Sequence, residues 1–293
     1  MHNPLKRNPP LAPSMRGKRI TLAVAISLVG AIVLPVACSS PSWGVPNAPL
    51  RETLPVRAGT VLTFTGQQVG PAYVPDKYCT AGAVTQWNSA LARLTQYVAA
   101  IRYVVTAAHC ASRVGQTVQV AGESVGRVYW ISHESDLALV RVEPTQIRRL
   151  QCSGSVSGAP HCTIVSHVVP RAVGQIVFGS SGVPNSGVLT VTGSSIPADR
   201  EYFCMSGIAT GTNCDQINTT VPFGLQLPPH QQIAYSTGVV IRNGDSGAPV
   251  FSRSGKLYGI LSASYNDAFV RYSTYVPIGR FFDEQPAYGL VLG

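Results

Sequence analysis

Charged side chains are scarce in this sequence, at 12% of 293 residues, while 45% are hydrophobic. That balance excludes a wholly disordered chain, which needs low hydrophobicity and high net charge. Long apolar runs are scarcer still. Only Ile20 to Ala37 is continuous, so a polytopic membrane protein is excluded. The body also lacks a basic cluster. The net charge is +9, but Lys6, Arg7, Arg16, Lys18 and Arg19 all precede Cys38 with no acid among them; the other 17 basic residues face 13 acidic ones and leave +4. Such a body offers no surface for phosphate, and no nucleic-acid partner is expected.

Five cations followed by about eighteen apolar and small residues form the n-region and h-region of an export signal spanning 1–38. A buried core helix does not fit, because the run is apolar around its whole circumference. A single spanning anchor stays open on length, although Pro35 disfavours a continuous helix. Seven cysteines is an odd number, and Cys38 stands alone at the junction. The other six fall into near neighbours that could pair, Cys79 with Cys110, Cys152 with Cys162, and Cys204 with Cys214. Such pairing needs an oxidising compartment, which export supplies. The step Val36, Ala37, Cys38 resembles a bacterial lipobox, in which Cys38 would carry a diacyl anchor after cleavage. Pro35 departs from the aliphatic residue of that pattern, and ordinary cleavage near Ala37 is the alternative. The expected location is exported, extracellular or in the cell envelope, with membrane contact only through the signal or a lipidated Cys38.

Residues 39–70 are rich in Pro, Gly and Ser and read as a linker or short pro-segment, with a domain starting near Pro71. Beyond it the chain is a series of short β-branched, aromatic or alternating runs, among them Val104 to Thr106, Leu137 to Val142, Ile233 to Val240 and Leu257 to Ser264, punctuated by Gly, Ser, Asn and Pro. Short strands without intervening helices indicate an all-β sandwich or barrel. One stretch dissents: Leu91, Leu94, Val98 and Ile101 recur at helical spacing, so Asn88 to Arg102 is expected to be a short helix or an insertion between strands.

Hydrolysing an amide with a serine needs a hydroxyl, a base for its proton, a carboxylate to hold the base, and donors for the oxyanion. Val104-Val105-Thr106-Ala107-Ala108-His109-Cys110 runs an apolar strand into a histidine beside a cysteine. Asp136 stands at the head of the apolar run Leu137-Ala138-Leu139-Val140. Gly244-Asp245-Ser246-Gly247 sets a serine in a glycine-rich turn. Singly, each reads equally well as a packed histidine, a turn aspartate and a tight turn. Taken in the order His, Asp, Ser, with steps of 27 and 110 residues, they resemble the trypsin-like (chymotrypsin-fold) serine endopeptidases, most of all the compact bacterial secreted members, over roughly Pro71 to Phe282.

That resemblance implies two packed six-stranded antiparallel β-barrels, 71–165 carrying His109 and Asp136 and 166–293 carrying Ser246, with the active site in the cleft between them. It implies a Cys79–Cys110 bridge beside His109, closing a loop of about thirty residues and contributing about 3 to 4 kcal/mol by chain entropy. It also implies Ser246 as nucleophile, His109 as general base and then acid, Asp136 as its support, and the N–H groups of Gly244 and Ser246 as oxyanion donors. Ser262 is implied as an auxiliary residue near Asp136, and the primary pocket falls on Val240, Leu261 and Ser264. Val240 in place of an aspartate disfavours Lys or Arg at P1, and Leu261 stands where a glutamate-specific pocket would carry a histidine, so an apolar or small P1 side chain is expected. No Ile-Val-Gly-Gly-like start appears near Pro71, so a buried Asp245 needs an internal partner, often an arginine in the compact relatives.

Chain order removes rivals. No histidine follows Ser246, which excludes the α/β-hydrolase order, and Ala248 breaks the Gly-x-Ser-x-Gly turn. Asp76 precedes His109 but lies in no subtilisin-like motif, and His133, three residues before Asp136, lacks the strand-and-cysteine setting of His109. His161 and His167 flank Cys162 without a second pair at zinc spacing. The sequence is therefore read as an exported, cofactor-free and metal-free serine endopeptidase, a monomer acting on protein or peptide substrates. The alternative is a catalytically idle member of the same fold used for cell-surface binding.

Overall fold

The computed structural model describes residues 48–69, 72–153, 161–179, 187–266 and 271–293. The export signal, Cys38 and the first part of the expected linker lie outside the described residues.

An antiparallel sheet of eight strands is built from Tyr288–Leu290, Ala83–Trp87, Arg102–Thr106, Ala138–Val142, Glu123–Ile131, Thr117–Val120, Val61–Phe64 and Lys77–Thr80, in that spatial order. Its centre is the pairing of Arg102–Thr106 with Ala138–Val142, which sets Leu139 opposite Val105. These β-branched and leucine-rich runs are buried along nearly their whole length, as expected of strands covered on both faces. The second sheet closes on itself. Lys256–Asn266, Pro249–Phe251, Tyr202–Gly207, Gly211–Asn218, Gln232–Ser236 and Arg271–Pro277 follow one another, and Arg271–Pro277 pairs back onto Lys256–Asn266 to complete a six-stranded barrel. Gly193–Ser194 adds a short parallel strand to its edge.

The all-β, two-barrel architecture is thus observed, with two differences in what each half contains. Val61–Phe64, within the expected linker, is an integral strand paired to both Lys77–Thr80 and Thr117–Val120. Tyr288–Leu290, at the far end of the chain, pairs with Ala83–Trp87 and so returns to the first sheet. The physical reason is burial. Val56, Leu62 and Phe64 are fully inaccessible to solvent, so the apolar residues among the prolines and glycines are core, not spacer. A parallel ladder between Val56–Ala58 and Ala172–Val177 anchors the same segment.

The stretch with helical spacing forms a 3-10 turn, Ala90–Arg93, and a short helix, Gln96–Ala100. Ser89 and Thr95 act as their N-caps, accepting from the N–H groups of Leu91 and Val98. Leu91 and Leu94 are exposed, so the periodicity marked an insertion and not a core helix. Thr145–Ser153 and His161–Val169 form a separate hairpin in which Cys152 lies opposite Cys162. All three anticipated disulfides are present, Cys79–Cys110, Cys152–Cys162 and Cys204–Cys214.

One apolar cluster joins the halves: Ala83, Val105 and Leu139 of the first sheet pack with Phe251, Leu257, Ile260 and Val276 of the barrel and with Phe281 of the helix Ile278–Glu284. Leu139 is fully buried there, and Leu139→Ala is expected to cost about 2 to 5 kcal/mol, whereas Leu150→Ala on the exposed hairpin costs less than about 0.5 kcal/mol. Urea unfolding of the two variants checks the contrast.

Candidate active site

The buried strand Arg102–Thr106 ends in the turn Ala108–Cys110, and the Cys79–Cys110 bridge fixes that turn to the strand Lys77–Thr80. His109 projects from it, partly exposed. Asp136 sits just before Ala138–Val142, and its carboxylate takes hold of His109 twice. Oδ1 accepts the His109 backbone N–H at 2.9 Å, and Oδ2 lies 2.8 Å from Nδ1. A hydrogen bond from Nδ1 to a carboxylate fixes the tautomer and leaves Nε2 as the basic nitrogen.

Asp136 Oδ2 also accepts from Ser262 Oγ of the second barrel at 2.5 Å, and Ser262 in turn accepts from Gln231 Nε2 at 2.9 Å. Burial alone would raise the Asp136 carboxyl; hydrogen bonds from His109 and Ser262, together with the charge of the imidazole, outweigh it and hold the pKa below the usual aspartate value. The loop around Asp136 is braced from the C-terminal helix. Glu284 accepts from Ser132 Oγ at 2.5 Å and Ser135 Oγ at 2.7 Å, and Arg280 pairs with both Glu284 and Glu134. Sequence reasoning missed Gln231, Glu284 and Arg280, which carry no local signature. His133 is exposed and takes no part.

Ser246 is presented by a turn with two left-handed glycines, Gly244 at φ +103° and Gly247 at φ +85°. A Cβ at Gly247 would lie 2.1 Å from Thr106 Oγ1, so only glycine lets the turn approach the strand before His109. The first sheet grips the turn directly. The Thr80 N–H donates to the Ser246 carbonyl and Thr80 Oγ1 to the Gly244 carbonyl, both at 2.8 Å. The backbone N–H groups of Gly244 and Ser246 have no protein acceptor among the described residues, so both are available to a ligand oxygen.

Asp245 points inward and is fully buried. Its Oδ1 accepts from the N–H groups of Ala209 (2.8 Å) and Thr210 (3.1 Å), and its Oδ2 from that of Arg242 (2.9 Å). Burial pushes its pKa up against these bonds. The opposing charge is Arg51, from the segment read as linker and therefore missed. Only 1% of it is exposed, and it donates to the Gly59 carbonyl (2.9 Å), Ser206 Oγ (3.0 Å) and Thr212 Oγ1 (3.2 Å). Burial lowers its pKa to about 10, and the negative charge of Asp245 acts in the opposite direction. The two do not form a direct ion pair. They meet through the strand Tyr202–Gly207, with Arg51 on Ser206 and Asp245 packed against Gly207.

His109 and Ser246 line one cavity of about 380 Å³, together with Ile241, Arg242, Asn243, Leu261, Ser262, Ala263 and Ser264. Leu261 and Ser264 line this cavity; Val240 is not among its lining residues, and Ile241 is. Just ahead of it, Asp215 Oδ2 accepts the Val239 N–H at 2.6 Å and Ser236 Oγ donates to the Val239 carbonyl at 2.8 Å. Among the described residues no group of three or more His, Cys, Asp or Glu side chains could hold a metal ion.

The family model Trypsin matches residues 97–283. Trypsin alpha-4 of Lucilia cuprina is 29% identical over 183 residues, which cover 58% of this chain and 67% of the relative. Among solved structures, a Nocardiopsis protease (NAPase) superposes with a TM-score of 0.52 at 20% identity, covering 80% of this chain and 98% of its own. A glutamic acid-specific serine protease, described as using a histidine triad in substrate binding, also gives 0.52, at 16% identity, covering 80% of this chain and 100% of its own.

Two outcomes are expected. The stability that His109 and Ser262 lend to the ionised Asp136 is present above about pH 4 and drains away as pH falls through the depressed pKa. The slope of unfolding free energy against pH in that acid range should therefore flatten in Asp136→Asn. Arg51→Met leaves a buried carboxylate without its opposing charge and is expected to cost about 3 to 5 kcal/mol, with a smaller cost in an Asp245→Asn background. Denaturant titration of the four proteins of that cycle measures both.

Proposed function

Since the chain belongs to the trypsin family and is a serine endopeptidase, we propose that His109, Asp136 and Ser246 form its catalytic triad. The observation that carries this reading is the doubly bonded His109–Asp136 pair opening onto the same cavity as Ser246. Ser246 Oγ attacks the scissile carbonyl carbon while its proton passes to His109 Nε2, and the charge developing on the carbonyl oxygen is met by the N–H groups of Gly244 and Ser246. Collapse of the tetrahedral intermediate breaks the C–N bond, and the departing nitrogen takes the proton from His109. Water, deprotonated by the same imidazole, then releases the acyl group and restores Ser246. Asp136 keeps Nδ1–H directed at itself throughout and supports the imidazolium without taking the proton. Ser262 positions Asp136 from the second barrel.

In this reading the half of the chain around 71–165 supplies base and carboxylate, and 166–293 supplies nucleophile and pocket. Ile241 and Leu261 wall the pocket with apolar surface and Ser264 narrows it, which favours an apolar or small P1 side chain. No processing to a new N-terminus beside Asp245 is needed, because Arg51 already supplies a positive charge within the fold. Three disulfides suit an oxidising compartment, so we take the protein to be exported by residues 1–38, with Cys38 as the site of a lipid anchor and the protease acting as a monomer on extracellular polypeptides.

A fluorophosphonate probe tests the assignment. Labelling is expected in the wild type and absent in Ser246→Ala, with kcat for a peptide substrate lowered about 10³- to 10⁴-fold or more in His109→Ala and Asp136→Asn. A folded wild type that takes no label would instead favour an idle binding protein.

A further inference from the structure

The strand Lys77–Thr80 and the nucleophile turn form a seam. At one end Thr80 holds the carbonyls of Gly244 and Ser246. At the other the exposed Lys77 places its Nζ 2.5 Å from the carbonyl of His109, to which it donates. Across the seam Arg242, two residues ahead of Gly244, is exposed and lines the cavity with His109 and Ser246. Neither cation has an ion-pair partner among the described residues. The nearby carboxylates are already engaged. Asp136 holds His109 and Ser262, Asp245 is buried on three backbone N–H groups, and Asp76, next to Lys77, accepts the Gly66 N–H at 2.6 Å.

Lys77 at the His109 carbonyl and Arg242 on the cavity are therefore two cations without an ion-pair partner among the described residues. Resting on the Ser246 reading above, we infer that the cleft selects polypeptides with an acidic side chain just beyond the scissile bond, at P1′ or P2′. The side follows from the chemistry. His109 must reach the leaving nitrogen, so the chain that carries it passes His109, where Lys77 stands. The P1 side chain lies on the other side, against Ile241 and Leu261. Arg242, on the cavity with His109 and Ser246, adds a second positive charge for a carboxylate in the cleft to meet. Salt weakens such exposed pairs, so the preference belongs to low ionic strength.

Internally quenched peptides with a common acyl side and Asp, Ala or Lys at P1′ and P2′ test this on the purified protein. At low salt, kcat/KM is expected to be about fivefold to tenfold higher for Asp than for Ala, and lower for Lys than for Ala, in line with one or two exposed charge pairs. The Asp-to-Ala ratio should shrink as salt is raised, and Lys77→Glu combined with Arg242→Glu should invert it. Equal cleavage of the Asp and Ala peptides, a ratio indifferent to salt, or a ratio that survives both reversals overturns the inference. The wild-type salt series decides the matter even where the reversed variant does not fold. Cleavage that persists in Ser246→Ala sinks the assignment of the nucleophile; cleavage that needs Ser246 but ignores P1′ and P2′ charge sinks only the acidic preference.

Discussion

A single carboxylate, Asp136, is the point at which the two halves of the chain become one site. It accepts from the backbone and ring of His109 on one side and from Ser262 of the second barrel on the other. An ion held in a partly buried setting is stable only while those donors stay in place, so each half must be folded for the other's contribution to count. The bonds between Thr80 and the turn of Ser246 work in the same direction, tying that turn to the geometry of the first sheet. The shared cluster of Leu139, Phe251, Ile260 and Phe281 beneath them makes the arrangement rigid.

The second constraint is charge under the turn that carries Ser246. Asp245 is fully buried, which turns its side chain away from the cleft and fixes the shape of the Gly244–Gly247 turn through the Arg242 N–H. Burying a carboxylate is costly, and Arg51 offsets it from a segment that precedes the first sheet strand. The Ala48–Ala58 region thus helps to hold the Gly244–Gly247 turn, although it lies far from Ser246 along the chain.

Much of this was legible from sequence, for identifiable reasons. His109, Asp136 and Ser246 each sit in a local setting, a strand end, a strand start and a glycine turn, that short-range physics imposes and that a reader can find. The Cys152–Cys162 and Cys204–Cys214 bridges join consecutive strands ten residues apart, whereas Cys79–Cys110 spans 31 residues and was also implied by the resemblance. What escaped is long-range. Arg51 pairs with groups more than a hundred residues away and is surrounded by the prolines and glycines of a linker. Val61–Phe64 is too short to show an alternation, yet the register it takes in the sheet buries Leu62 and Phe64 completely. The helical spacing of Leu91, Leu94, Val98 and Ile101 did correspond to a 3-10 turn and a short helix between strands, with Leu91 and Leu94 facing solvent. Val240 was placed by counting back from Ser246, and counting along the chain does not see which residues line the cavity, where Ile241 appears and Val240 does not.

Nitrogen-15 and proton NMR of the histidines tests the central claim most directly. With Asp136 holding the imidazole, the neutral form of His109 should show a strongly downfield Nδ1 proton and an unprotonated Nε2, and the proton signal should vanish in Asp136→Asn and weaken in Ser262→Ala. A His109 ring protonated at Nε2 and bare at Nδ1 in the neutral form would contradict the account.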